Sequence, residues 1–143
     1  MLVYLDTSAL AKWYLNEAGS DLFVGWIQQQ DDVHISSLTA TEMRCLLARR
    51  KRMGDISSEL EHQIFAAFMD DIECGHLSRH ALSDQHAMAA IELINQLSQH
   101  ALRTLDAMHL AIARSIGAQA IATSDHVMAS AAESLQLKII QFS

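Results

Sequence analysis

The stretch Leu2-Val3-Tyr4-Leu5-Asp6-Thr7-Ser8-Ala9-Leu10 decides how this chain reads. Leu2 to Leu5 is a short apolar run, and at that length, closed by Asp-Thr-Ser, it suits a buried strand. Asp6 is a good helix N-cap type, and helical signals follow from Ser8 to about Asn16 and from about Ser20 to Gln30. Outward from there the alternation continues. Val33 to Ser36 reads as a second strand, followed by helices from about Leu38 to Met53 and from about Ser57 to Glu73. In the latter, Leu60, Ile64, Phe68 and Ile72 recur every four positions and make one apolar face. His76 to Arg79 reads as a third strand, with helices near Asp84 to Gln99 and Leu102 to Ile116. Gln119 to Ala122 is a fourth strand, Asp125 to Ser134 a helix and Lys138 to Phe142 a fifth strand. Strands alternating with helices or helix pairs imply a parallel sheet covered on both faces.

The 143 residues fit one domain, taken as residues 1–143, and no internal repeat or composition break divides them. Hydrophobic residues make up 50%, which excludes a disordered tail. Ten Lys and Arg against 17 Asp and Glu leave a formal charge of −7. That excludes binding of nucleic acid by bulk positive charge, but not a nuclease whose site is itself acidic. Cys45 and Cys74 form neither a CxxC nor a zinc spacing, and are expected to be buried free thiols of a reducing compartment. Asp6 interrupts the N-terminal apolar run, so no signal peptide is expected. No run of ~18 apolar residues exists to span a membrane. The expected location is the cytoplasm.

The topology gathers acids. In an open parallel α/β sheet, ligands bind outside the carboxyl ends of the strands. Asp6 follows the first strand and Asp125 the fourth. Glu42 lies early in the helix after the second strand, and Asp106 opens the helix before the fourth, so both begin at the same edge. Each has a simpler role available. Asp6 and Asp125 can cap helices, Thr39-x-x-Glu42 has the form of a capping box, and Asp106 suits a helix dipole. Together they are harder to explain as caps, because four anions within several Å repel one another by kcal/mol per pair at low dielectric. A hard cation such as Mg²⁺ or Mn²⁺, which prefers oxygen ligands, offsets that repulsion.

Four segments in register now resemble one family. Val3-Tyr4-Leu5-Asp6-Thr7-Ser8-Ala9-Leu10 is similar to the opening of a PIN domain, and Thr41-Glu42-Met43-Arg44 to its second motif. Leu102-Arg103-Thr104-Leu105-Asp106-Ala107-Met108-His109-Leu110-Ala111 resembles the third, Ile121-Ala122-Thr123-Ser124-Asp125 the fourth, and Leu137 to Ile140 the closing strand. The compact length is most like the VapC-type toxins of toxin–antitoxin pairs. The resemblance implies an α/β/α sandwich with a five-stranded parallel sheet of order 3-2-1-4-5. It implies a Mg²⁺- or Mn²⁺-dependent endoribonuclease, with Asp6, Glu42, Asp106 and Asp125 as the acidic residues. It also implies a homodimer and a cognate antitoxin protein that blocks the site.

Among the four acids, Asp6 and Asp106 are expected to be the central metal ligands. Thr7, Ser8 and Thr123 can hydrogen-bond a phosphate or a ligand carboxylate. Arg44, Arg49, Arg50, Lys51 and Arg52 hold five of the ten Lys and Arg residues, and suit either a phosphate-positioning ridge or a solvated helix end. His109, three residues after Asp106, faces the same helical side and either orients that carboxylate or packs. The eight histidines make no HExxH zinc signature. Trp13, Tyr14, Phe23 and Trp26 read as core or as an interface between copies. Two other readings compete. A phosphoryl-transfer enzyme would use Asp6, but Asp6-Thr7-Ser8 lacks the DxD of haloacid dehalogenases, and no Lys follows Lys138 as a receiver domain would want. A non-catalytic PIN-like metal-binding module is the other.

Overall fold

The computed structural model describes residues 1–142; Ser143, the end of the expected domain, lies outside them. β1 (Val3–Leu5) leads into α1 (Thr7–Tyr14) and α2 (Ser20–Ile27), and β2 (Val33–Ser36) into α3 (Ser37–Arg52) and α4 (Ser58–Glu73). β3 (Ser78–His80) leads into α5 (Asp84–Gln96) and α6 (Thr104–Ser115), β4 (Ala120–Ala122) into α7 (His126–Ser134), and β5 (Lys138–Ile140) closes the sheet. All four strand pairings are parallel, and the order is β3-β2-β1-β4-β5. This is the expected 3-2-1-4-5 sandwich.

The pleat of β1 assigns the layers. Val3 and Leu5 point to one face and pack with Leu10, Phe23, Met43, Leu47 and Phe68 from α1 to α4. Tyr4 points to the other face, with Leu38, Ile112 and Ala113. Leu93, Leu110, Ile121 and Met128 extend that second layer under α5, α6 and α7. Phe68 is fully buried, and a side chain of that size contributes about 1.5–3 kcal/mol by leaving water. Trp13, Tyr14 and Trp26 pack around the first layer and Phe23 lies inside it.

Element ends differ from expectation where polar turn residues break the period. β3 pairs two residues later than His76. α5 ends at Gln96 and α6 starts at Thr104, because Leu97 N–H closes on Leu93 C=O and the chain turns there. Phe142 leaves the fifth strand and packs its ring against Phe23 and Trp26. Both cysteines are free and exposed, not buried. Cys45 on α3 lines a cavity with Thr7, Ser8 and Leu46, and Cys74 caps the C-terminus of α4.

The outermost pairing, β2 with β3, carries a side-chain chain of its own. Asp32 Oδ1 lies 2.5 Å from His34 Nε2, and His34 Nδ1 lies 2.7 Å from His80 Nε2. A carboxylate only accepts, so His34 Nε2–H donates to Asp32, and the remaining ring nitrogen accepts from His80 Nε2–H. The two rings stack with centroids 5.0 Å apart.

Two measurements check this packing. Gly19 caps α2 with φ +85°, and a Cβ there would stand 2.8 Å from the Phe142 carbonyl oxygen; Gly25, inside α2, has open space around it. Gly19→Ala is expected to destabilise by about 1–3 kcal/mol, and Gly25→Ala to stabilise by about 0.5–1 kcal/mol, both read by urea denaturation. Burial, and then the charges of His34 and His86, hold the His80 pKa below its ordinary 6.5. The unfolded chain therefore binds more protons in the window just below 6.5, and stability present above 6.5 declines as pH falls through that window. His80→Gln is expected to flatten the dependence of the urea midpoint on pH there.

Candidate active site

Four junctions deliver the polar residues to the carboxyl edge of the sheet. Asp6 ends β1 and caps α1, accepting from Ala9 N–H at 3.0 Å. Ser36 ends β2 and caps α3 in a true capping box with Thr39, not the Thr39–Glu42 box the spacing suggested. Glu42 therefore lies one turn further along α3 and is not held at the helix start. Asp106 lies in the first turn of α6, where its Oδ2 accepts from Arg103 N–H at 3.4 Å. Asp125 follows β4 and caps α7 through Oδ1, with Val127 and Met128 N–H as donors.

Asp6 is 4% exposed. Both its oxygens are engaged: Ser8 Oγ donates to Oδ1 at 2.7 Å and Thr123 Oγ1 to Oδ2 at 2.5 Å. Asp125 N–H donates to the same Thr123 hydroxyl at 3.0 Å, so one side chain ties Asp6 to the fourth-strand loop. Ser124 N–H donates to Ser8 Oγ at 2.8 Å. Burial pushes the Asp6 pKa up, against the lowering effects of Thr123, His109, Ser8 and Ala9. The Ser124 hydroxyl, beside this link, is buried with no hydrogen-bond partner among the described residues.

Glu42 is held by a second chain. His109 Nε2 lies 2.5 Å from Glu42 Oε1, and Thr7 Oγ1 donates to the same oxygen at 2.8 Å. His109 Nδ1 lies 2.6 Å from the Tyr4 hydroxyl, which also meets Ser36 Oγ at 2.9 Å. Because Glu42 only accepts, His109 Nε2–H is the donor of that bond, and Nδ1 is left to pair with the Tyr4 hydroxyl. His109 thus orients Glu42 rather than Asp106. Burial alone would raise the Glu42 pKa, but the bond and charge of His109, with Thr7, outweigh it and hold the group low. Burial raises the Tyr4 pKa well above its ordinary value.

Glu42, Asp106 and Asp125 line one cavity of about 330 Å³ together with Arg103, Thr104 and Leu105. Asp6, buried at the end of β1, is not among its lining residues. Burial raises the Asp106 pKa, and the Asp125 charge adds to that rise despite the opposing Arg103 N–H. Each lining carboxylate gives one oxygen to the protein, and the other has no hydrogen-bond partner among the described residues: Glu42 Oε2, Asp106 Oδ1 and Asp125 Oδ2. Among the described residues no three His, Cys, Asp or Glu side chains already converge as a metal cage. The donor set nonetheless fits a hard cation in its chemistry: three carboxylates line one cavity, one of them with its pKa raised by burial and by a like charge.

The other expected residues fall in two groups. Thr7, Ser8 and Thr123 serve the carboxylates. Arg44 does not line the cavity; its Nη1 binds Glu61 Oε2 at 2.8 Å and its guanidinium lies over the Phe65 ring. Tyr4 and Ser36 are parts of the site that the sequence did not single out; only strand alternation, which sends Tyr4 to the face opposite Val3 and Leu5, could have flagged them.

An α/β/α fold whose carboxyl edge gathers acids is a recognisable class. The family model described as PIN domain matches residues 3–134. The chain belongs to the PIN-domain family. In structure it is similar to VapC20 of Mycobacterium tuberculosis, described as a sarcin-ricin loop cleaving toxin, at 19% identity and TM-score 0.73, covering 95% of this chain and 98% of that one. It is also similar to VapBC2 of Rickettsia felis bound to a promoter DNA fragment, at 14% identity and TM-score 0.72, with all of both chains covered. A toxin–antitoxin complex from Klebsiella pneumoniae aligns at 15% identity and TM-score 0.58, over 86% of each chain. No curated protein matches in sequence. No helix among the described residues is long and apolar enough to cross a membrane.

Tyr4→Phe removes the donor to His109 Nδ1 and a partner of the Ser36 hydroxyl. It is expected to cost about 1–3 kcal/mol of stability by urea denaturation, with the circular dichroism spectrum retained.

Proposed function

We propose that this chain is a Mg²⁺- or Mn²⁺-dependent endoribonuclease, the toxin of a type II toxin–antitoxin pair, working in the cytoplasm as one domain over residues 1–143. The observation that carries the reading is the set of three half-free carboxylates, Glu42, Asp106 and Asp125, on one cavity of a PIN-family chain. Toxins and toxin–antitoxin complexes among its structural neighbours support the antitoxin partner and the RNA substrate. The homodimer follows from the family resemblance.

Asp106, Glu42 and Asp125 would hold the cation through their free oxygens, and Asp6 completes the acidic set. When bound, the cation lowers the pKa of a coordinated water and polarises the phosphoryl oxygen. The chain's own residues prepare that setting. His109 and Thr7 fix one oxygen of Glu42. Thr123 and Ser8 hold Asp6 rigid at the end of β1. Asp125 is fixed by the first turn of α7.

The phosphoryl-transfer reading is disfavoured by Asp6 itself, since a nucleophilic carboxylate needs an accessible oxygen and both of these are hydrogen-bonded in a buried site. The non-catalytic reading is separated by assay. With Mn²⁺ and structured and unstructured RNAs, the protein is expected to cleave. Asp106→Asn and Asp6→Asn are expected to stay folded and lose more activity than the ~10–100-fold that loss of an outer hydrogen-bond partner costs. Calorimetry is expected to show weakened Mn²⁺ binding in Asp106→Asn. Unchanged cleavage in both variants, or no cleavage of any RNA by the parent protein, defeats the reading.

A further inference from the structure

The acidic cavity continues past Glu42. A second cavity of about 390 Å³ is lined by Thr7, Ser8, Glu42, Leu105 and Arg49, among others. Glu42 and Leu105 line both cavities, so the two adjoin as parts of one groove, with Glu42 shared between them. Arg103 stands on the wall of the first part and Arg49 on the wall of the second. Arg49 is seven residues beyond Glu42 on α3. That is two turns along the same face, ~10 Å down the helix axis.

The basic residues of α3 are not equivalent. Arg44 is neutralised by Glu61 and Arg50 by Glu17. Lys51 lies near enough to Glu61 to help lower its pKa, and it lines neither cavity. Arg49 and Arg103 are exposed, and neither has a carboxylate partner among the described residues. Leu105, between them, is 43% exposed, an apolar side chain in an otherwise polar groove. A chain of net charge −7 has no overall field to draw in a polyanion, so local cations must hold one.

We propose that Arg49 and Arg103 grip phosphates on either side of the scissile bond of a single-stranded RNA, with the intervening nucleotide resting on Leu105. This rests on the ribonuclease reading above and extends it to substrate positioning. Phosphate contacts of this kind fix register and carry no base identity. The two arginines therefore set where the strand lies, and the carboxylates act on what lies between them.

The probe is a fluorescein-labelled RNA oligonucleotide of random sequence, bound to an Asp125→Asn background, in which Asn still caps α7 and the RNA stays uncut. Affinity is read over a range of salt. Arg49→Gln and Arg103→Gln are each expected to weaken binding about tenfold and to reduce the salt slope by about one. Arg49→Lys is expected to keep the slope. Leu105→Ala is expected to weaken binding with the slope unchanged. In the protein with Asp125 intact, the two Gln variants are expected to raise KM with kcat retained, while Lys51→Gln matches the parent throughout. If the parent cleaves RNA and the Arg49 and Arg103 variants match Lys51→Gln in slope and KM, the grip is elsewhere and this inference fails alone. If the parent cleaves no RNA, the ribonuclease reading fails and the inference with it.

Discussion

A carboxylate at the end of the central strand, almost fully out of water, is the constraint around which this molecule is organised. An isolated buried charge of that kind is untenable without hydrogen-bond partners. Asp6 finds them in three places: the first turn of α1, the Ser8 hydroxyl, and the Thr123 hydroxyl from the far side of the sequence. Those bonds need β1 beside β4 and α1 starting where β1 stops. Meeting the need of one side chain thus fixes the relative placement of two strands, one helix and the loop that carries Asp125.

The remaining acids follow the same logic with a different result. Glu42, Asp106 and Asp125 are each anchored by one oxygen, to an imidazole, a backbone N–H or a helix N-terminus, and the other has no hydrogen-bond partner among the described residues. Anchoring keeps mutually repelling groups in place without neutralising them. The raised pKa of Asp106 is the residue of that tension, produced by burial and a neighbouring anion. Arg103 and Arg49 line the two parts of the groove with no carboxylate partner among the described residues, while Arg44 and Arg50 are consumed by glutamates of the same chain. An acidic protein can in this way present a local surface suited to a polyanion.

The strand–helix alternation, the parallel sheet and the sheet edge whose cavity Glu42, Asp106 and Asp125 line were legible from apolar runs and from the direction in which helices follow strands. Both depend on local pattern plus chain direction, which the sequence carries. The details that failed were long-range. The Ser36–Thr39 box displaced Thr39–Glu42 because Ser36, not Thr39, ends the strand. Cys45 and Cys74 are exposed although free cysteine is commonly buried. His109 turned to Glu42 on a different helix instead of its own helix neighbour Asp106, and Arg44 turned to Glu61 on α4.

The amino-acid order by itself determined the number of strands and their parallel sense, because periodicity and the handedness of strand–helix–strand units require no knowledge of distant partners. Tertiary structure alone decided which oxygen of each carboxylate is spent and which stays free, that Tyr4 stands behind His109, and which arginines keep their charge for the groove. Those outcomes depend on atoms brought within 3 Å or so of one another from positions as far apart as Asp6 and Thr123. No local pattern encodes such a meeting.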